Sequence, residues 1–237
     1  SVGGQARGYS IDVPAALDPA VRYPLTFVLH GDGGNGEGVR GSYGFAAFAG
    51  TQGIFVYPDA LPPDKSWNVD TPPPGNDDIA FFDALLDALS KSYCVDPARV
   101  FAAGMSRGGF FANRLGCNRG DKLRAIAPHS GSIYASSGAG YDADGFVICT
   151  TDGPAVIQFH GDADGVVPVK DGIYARDQWI HESGCKTTST AYAPSPCIAY
   201  TGCEAAHPVV WCEVPALGHA VWSEAPKATW SFFTGLP

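Results

Sequence analysis

Val100-Phe-Ala-Ala-Gly104-Met105-Ser106-Arg107-Gly108-Gly109-Phe110 decides how the rest of the chain is read. An apolar run suited to a buried strand leads into the pentapeptide G-x-S-x-G at 104–108, and the residues from Gly108 to Leu115 have the character of a helix. A serine on so tight a strand-to-helix turn projects its hydroxyl into the open. Glycines flank it because side chains there would clash. The helix that follows aims its positive end where charge develops on an attacked carbonyl. As a bare pattern the pentapeptide is common, and a simple turn serine is the alternative reading. Between a strand and a helix it marks Ser106 as a nucleophile.

Outward from this point the chain alternates strands and helices. Upstream, Leu25-Thr-Phe-Val-Leu-His30 is a nearly continuous apolar run that ends in Gly31-Asp32-Gly33-Gly34, and Ile54-Phe-Val-Tyr57 is closed by Pro58. Tyr9 to Val13 alternates as a half-exposed strand does. Residues 61–76 hold five prolines and form an irregular loop. Asp77 to Ser92 is the clearest helix, with Ile79, Phe82, Leu85, Leu86 and Leu89 on one face and two carboxylates at its start. A turn is expected at Asp96-Pro97. Downstream, strands are expected at Ala125 to Pro128, Ala155 to His160 and Val209 to Val214, with helices at Asp171 to Ser183 and Pro226 to Phe233. The expected architecture is α/β: one domain over residues 1–237, with a mostly parallel central sheet flanked by helices. Its chemistry belongs at the carboxyl ends of the strands.

Composition narrows the function. The net charge of −9, without a Lys/Arg cluster, argues against a nucleic-acid partner. No apolar run reaches the 18 or more residues of a membrane span. The chain opens at Ser1, as a mature form with its leader removed would. Seven cysteines include no C-x-x-C pair, the histidines lack zinc spacing, and four of the cysteines crowd between residues 185 and 212. They are read as disulfides formed in an oxidising compartment, with at least one thiol left over. No metal or cofactor is expected, and the chain is read as a monomer.

A serine nucleophile needs a base, and the base an orienting carboxylate; in α/β-hydrolases they follow in the order Ser, acid, His. Leu217-Gly-His219 follows the last predicted strand and supplies His219 as the base. His160-Gly-Asp162-Ala-Asp164 supplies two candidate acids that strand alternation cannot separate. The oxyanion donors are expected at the main chain of Arg107, directly after the nucleophile, and of Asp32, whose carboxylate must then turn away or find a partner. Histidines 30 and 160 end buried strands and are read as structural, His129 as packing beside the site, and His181 and His207 as surface residues.

These residues resemble the carbohydrate-esterase family 1 and polyhydroxybutyrate-depolymerase-like esterases, which include feruloyl and acetylxylan esterases. The resemblance runs from Leu29-His-Gly-Asp-Gly-Gly34 to Gly218-His219. It is carried by Asn76-Asp-Asp-Ile-Ala-Phe81, Val95-Asp-Pro-Ala-Arg-Val100, Gly104-Met-Ser-Arg-Gly-Gly109, Ala127-Pro-His-Ser-Gly131 and His160-Gly-Asp-Ala-Asp164-Gly-Val-Val-Pro168. It implies the α/β-hydrolase fold and a metal-independent triad of Ser106, Asp164 and His219, with the acid at the end of His-Gly-x-x-Asp. It also implies a secreted enzyme acting on esterified polysaccharide. The chain departs from many relatives with Ala220 after His219, where Trp-Pro is frequent, and with charged Asp32 after Gly31. Trp67 and Trp222 are candidate stacking platforms for a sugar or phenolic ring, or else loop packing. A polyester depolymerase and an inactive carbohydrate-binding module are the rival expectations.

Overall fold

The structure, a computed structural model, describes residues 1–134 and 140–237. Elements follow in the order β1 (Tyr9–Asp12), β2 (Tyr23–Leu29), α1 (Gly36–Tyr43), α2 (Phe45–Ala49), β3 (Ile54–Pro58), α3 (Asp77–Ser92), β4 (Val95–Met105), α4 (Arg107–Arg119) and β5 (Ala125–His129). They continue with β6 (Ala155–Gly161), α5 (Val169–Glu182), β7 (Ser189–Ala191), β8 (Ile198–Tyr200), β9 (Val209–Val214) and α6 (Ala225–Gly235). The strands form one sheet in the order β1-β3-β2-β4-β5-β6-β9-β8-β7. Its centre, from β3 to β9, is parallel, while β1 at one edge and β8 and β7 at the other are antiparallel.

The period of two along each strand divides the core between the two faces of the sheet. Leu25, Phe27 and Leu29 of β2 pack with Phe82 of α3, Phe111 of α4 and Trp179 of α5. Val28 of β2 and Phe101 of β4 pack on the opposite side with Tyr43 of α1, Phe45 of α2 and Trp230 of α6. Strands covered in this way can be apolar throughout, and all seven residues of β2 and of β6 are buried. Helix α3 starts where expected because the Asn76 side chain accepts the Asp78 and Ile79 N–H groups.

The fold is the α/β-hydrolase arrangement that the sequence implies, with local differences. The turn expected at Asp96-Pro97 lies inside β4: Asp96 Oδ1 accepts the Ala98 N–H at 3.0 Å, and the pairing with β2 shifts register there. The sequence pattern does not reveal α1 or α2: the glycine-rich 36–44 stretch lacks a helical apolar period, and the five residues of α2 are too few to show one. Three disulfides, Cys117–Cys149, Cys185–Cys203 and Cys197–Cys212, use six of the seven cysteines, and Cys94 is the leftover thiol. Among the described residues no helix is long and apolar enough to cross a membrane.

Candidate active site

Ser106 stands between β4 and α4 with φ 57° and ψ −126°, a conformation that L-residues rarely adopt. The elbow holds because its neighbours leave no room to relax. The Ser106 N–H donates to the His129 carbonyl of β5 at 2.9 Å, and a Cβ on Gly108 would run into the Leu29 carbonyl. Gly31 lies against the serine from the other side: a Cβ there would sit 3.2 Å from that of Ser106. The pentapeptide glycines are thus demanded by close approach of β2 and β4.

The loops after β6 and β9 separate the two candidate carboxylates. Asp164 Oδ2 lies 2.8 Å from His219 Nδ1, while its Oδ1 accepts the N–H groups of Val166 and Val167, each at 2.9 Å. Asp162 instead accepts the Ala216 N–H at 2.6 Å and pins the loop that carries His219. Burial alone would raise the Asp164 pKa. The hydrogen bonds from His219, Val167 and Val166 outweigh it and hold the carboxyl at about 2. Asp164 is therefore ionised at neutral pH, and its bond to Nδ1 leaves Nε2 as the free ring nitrogen of His219.

The other histidines take supporting places. His160 Nε2 donates to the Val167 carbonyl at 2.8 Å and lies 3.6 Å from Asp164. His30 Nδ1 donates to the Gly31 carbonyl at 2.7 Å, and its Nε2 accepts the Ala60 N–H at 3.1 Å. His129 is fully buried beside Phe159; burial, then the neighbouring His160 and His219, push its pKa down to about 3. It links the two halves of the site, since its carbonyl accepts the Ser106 N–H and its ring lies beside His160 and His219.

The loop after β2 is fastened to the elbow by the 65–70 segment. Trp67 Nε1 donates to the His30 carbonyl at 2.9 Å, Gly33 N–H to the Lys65 carbonyl at 3.2 Å, and Ser66 Oγ to Asp32 Oδ1 at 2.6 Å. From the elbow, Arg107 Nε donates to the Trp67 carbonyl at 2.8 Å and Nη2 to Asp70 at 3.4 Å. The Asp32 carboxylate thus has a partner and stands 4.0 Å from the Arg107 guanidinium. The platform reading of Trp67 is corrected: at 1% exposure, stacked on Phe111 at 5.0 Å, its indole is core and its N–H is spent on His30. Trp222 is half-buried, 6.1 Å from Phe159, on an open cleft of about 430 Å³ with Tyr43, Phe48 and Val221. Ser66, Asp70 and Arg107's side-chain role escaped the sequence reading because a proline-rich loop offers neither period nor motif.

Among the described residues, Asp142, Asp144 and His181 place ligand atoms within 4.8 Å of one another. They lie at the surface, and the Asp142 carboxylate is already occupied by His181 and by the Asp144 and Phe146 N–H groups.

No protein-family model matches the chain. It is 30% identical over 244 residues to feruloyl esterase C of Emericella nidulans, covering 96% of this chain and 83% of that one. It is 28% identical over 258 residues to feruloyl esterase D of Neurospora crassa, covering 99% and 83%. An acetyl xylan esterase from Aspergillus awamori superposes with a TM-score of 0.73 at 19% identity, covering 96% of this chain and 94% of that one, which is a likeness of fold. The fold and these relatives define a carboxylic-ester hydrolase of the α/β-hydrolase class. Within that class the chain belongs to the feruloyl esterase family.

Proposed function

We propose that this protein is a secreted serine esterase that removes feruloyl groups from plant cell-wall polysaccharide through Ser106, His219 and Asp164. The observation that carries the reading is the 2.8 Å hydrogen bond between His219 and a buried, ionised Asp164, on the rim that also presents the strained Ser106. In the first half-reaction Ser106 Oγ bonds to the ester carbonyl carbon as His219 Nε2 takes its proton. The main-chain N–H groups of Asp32 and Arg107 donate to the oxyanion, with the 65–70 segment holding the two at a fixed separation. The C–O bond to the sugar then breaks, and His219 returns the proton to the leaving hydroxyl. Water, deprotonated by the same imidazole, releases ferulate and restores the serine. Trp222, three residues past the base, is the candidate platform for the acyl or sugar ring. Three disulfides support an oxidising destination.

The test is kcat/KM on methyl ferulate, an acetylated xylo-oligosaccharide and a hydroxybutyrate oligomer, with Ser106→Ala as control. Preference for ferulate, abolished in Ser106→Ala, is the expected result. Preference for acetyl or hydroxybutyrate overturns the substrate assignment, and turnover surviving in Ser106→Ala overturns the mechanism.

A further inference from the structure

On the same face of the sheet as the proline-rich loop, a run of rings leaves the catalytic rim and ends in a hollow. It begins at Phe110, whose N–H donates to the Ser106 carbonyl at 3.0 Å. Phe110 meets Tyr134 at 5.9 Å between ring centroids, and Tyr134 is 43% exposed. From there the planes stay nearly parallel: Tyr134 to Tyr174 is 6.3 Å at 15°, Tyr174 to Phe146 is 6.4 Å at 26°, and Phe146 to His181 is 4.5 Å at 23°. Phe146 and His181 then form one wall of an open hollow of about 720 Å³ beside the Cys185–Cys203 disulfide. Arg176, Asp177 and Tyr200 line its other sides.

The lining selects a class of ligand. Flat rings offer their faces to apolar C–H surface, while a guanidinium and a carboxylate offer planar donors and acceptors to hydroxyl groups. Arg176 and Asp177 are themselves paired at 2.7 Å, so the hollow sets out both hydrogen-bonding types without a net charge. An anion would find the guanidinium already compensated, and a purely apolar ligand would strand the pair. A neutral pyranose has what fits: apolar ring faces and hydroxyl edges. The parallel track suits several such rings joined in a chain.

We infer that the hollow between Phe146, Arg176 and Tyr200 is a second carbohydrate-binding site, which holds the neutral main chain of the same polysaccharide whose ester is presented at Ser106. The inference rests on the esterase reading for its polymer but on the flank geometry for its place. Tyr134 and Tyr174 join the two sites, so a polymer engages both where a small ester engages only the first. Linking the two raises the effective concentration of the ester at the serine without any new contact to the acyl group.

The experiment uses the full chain with Ser106→Ala, which binds without turnover, and measures depletion onto insoluble arabinoxylan. Phe146→Leu, which keeps apolar volume but removes the ring, and Asp177→Asn, which breaks the charged pair at a half-buried position, are each added to that background. The parent is expected to bind, with affinity falling at least fivefold in each variant and at least tenfold in the double variant, while thermal melting stays near the parent's. Equal binding by parent and variants, or none by the parent, overturns the inference. So does a parent that elutes as a dimer and a Phe146→Leu protein that elutes as a monomer, since the flank would then be a contact between copies. Loss of the esterase reading is registered separately, in the methyl ferulate assay of the unmodified chain.

Discussion

Between β2 and β6 the sheet is buried on both faces, and the Cys117–Cys149 disulfide there ties α4 to the segment before β6 and joins no strands; at the far edge, β7 is exposed and β8 half-exposed, and two disulfides tie the region down. Cys197–Cys212 joins the stretch before β8 to β9, and Cys185–Cys203 closes the loop that holds β7 and β8. The centre has enough apolar surface to order its strands by burial. The short antiparallel edge does not, and cross-links that restrict the unfolded chain do that work. The proposed catalytic groups follow the same division: Ser106, Asp164 and His219 stand beyond the ends of buried strands, whereas the ring track and its hollow border the cross-linked edge. Catalysis demands sub-ångström placement, which a packed sheet supplies, and a polymer-holding surface tolerates less.

The sharpest way to break the contrast lies in two carboxylates two residues apart. Asp164→Asn is expected to lower kcat on methyl ferulate about 10⁴-fold, because His219 would lose the partner that fixes its tautomer and offsets its charge. Asp162→Asn touches only the Ala216 N–H and is expected to cost about 1 kcal/mol of stability, with kcat lowered tenfold at most. Equal losses of kcat in the two variants would contradict the assignment of the acid.

Next in size is the edge. Replacing Cys197 and Cys212 together by serine closes no 15-residue loop and is expected to lower unfolding free energy by about 3 kcal/mol in urea titrations. Turnover of methyl ferulate at 25 °C should stay within twofold, since the centre does not lean on that bridge. A large loss of turnover by a protein that still folds would join the two regions that burial separates.

Trp67 tests the centre itself. Trp67→Phe keeps an aromatic ring on Phe111 but removes the N–H that holds the His30 carbonyl. About 1 kcal/mol of stability should go, and kcat should fall roughly tenfold while KM moves little, because the oxyanion loop loosens without a change at the acyl pocket. A raised KM with unchanged kcat would restore the tryptophan to substrate binding.

How much of this was legible follows the same line. The elbow, the strand-end histidine and α3 were readable because glycine spacing and apolar period are local consequences of tight approach and of burial. The residues alone could not choose between Asp162 and Asp164. The choice depends on a turn in which one carboxylate reaches His219 and the other Ala216. Trp67 stays open between platform and loop packing for a related reason: nothing in a proline-rich stretch reveals that its indole folds back under β2. The Arg107–Asp32–Ser66 contacts join three distant segments and leave no trace in spacing.

A further way to test the buried centre uses acid. His129 is buried neutral, with its pKa pushed from 6.5 down to about 3, so the unfolded chain binds the extra proton first. Its contribution is complete above about pH 6.5 and is lost as pH falls toward 3; Asp164, held at about 2 against 3.8, adds a loss in the same direction only below pH 4. Melting temperature should therefore fall between pH 6.5 and 4, and less steeply in His129→Gln. A profile that is flat in the unmodified protein would show that His129 is not buried as the fold places it.

The most direct measurement of the central claim is labelling with a fluorophosphonate followed by peptide mapping. A single adduct on Ser106, formed at neutral pH and lost in His219→Ala, is the expected result. An adduct on another residue, or none in a sample that still hydrolyses methyl ferulate, would contradict a nucleophile at the β4–α4 elbow.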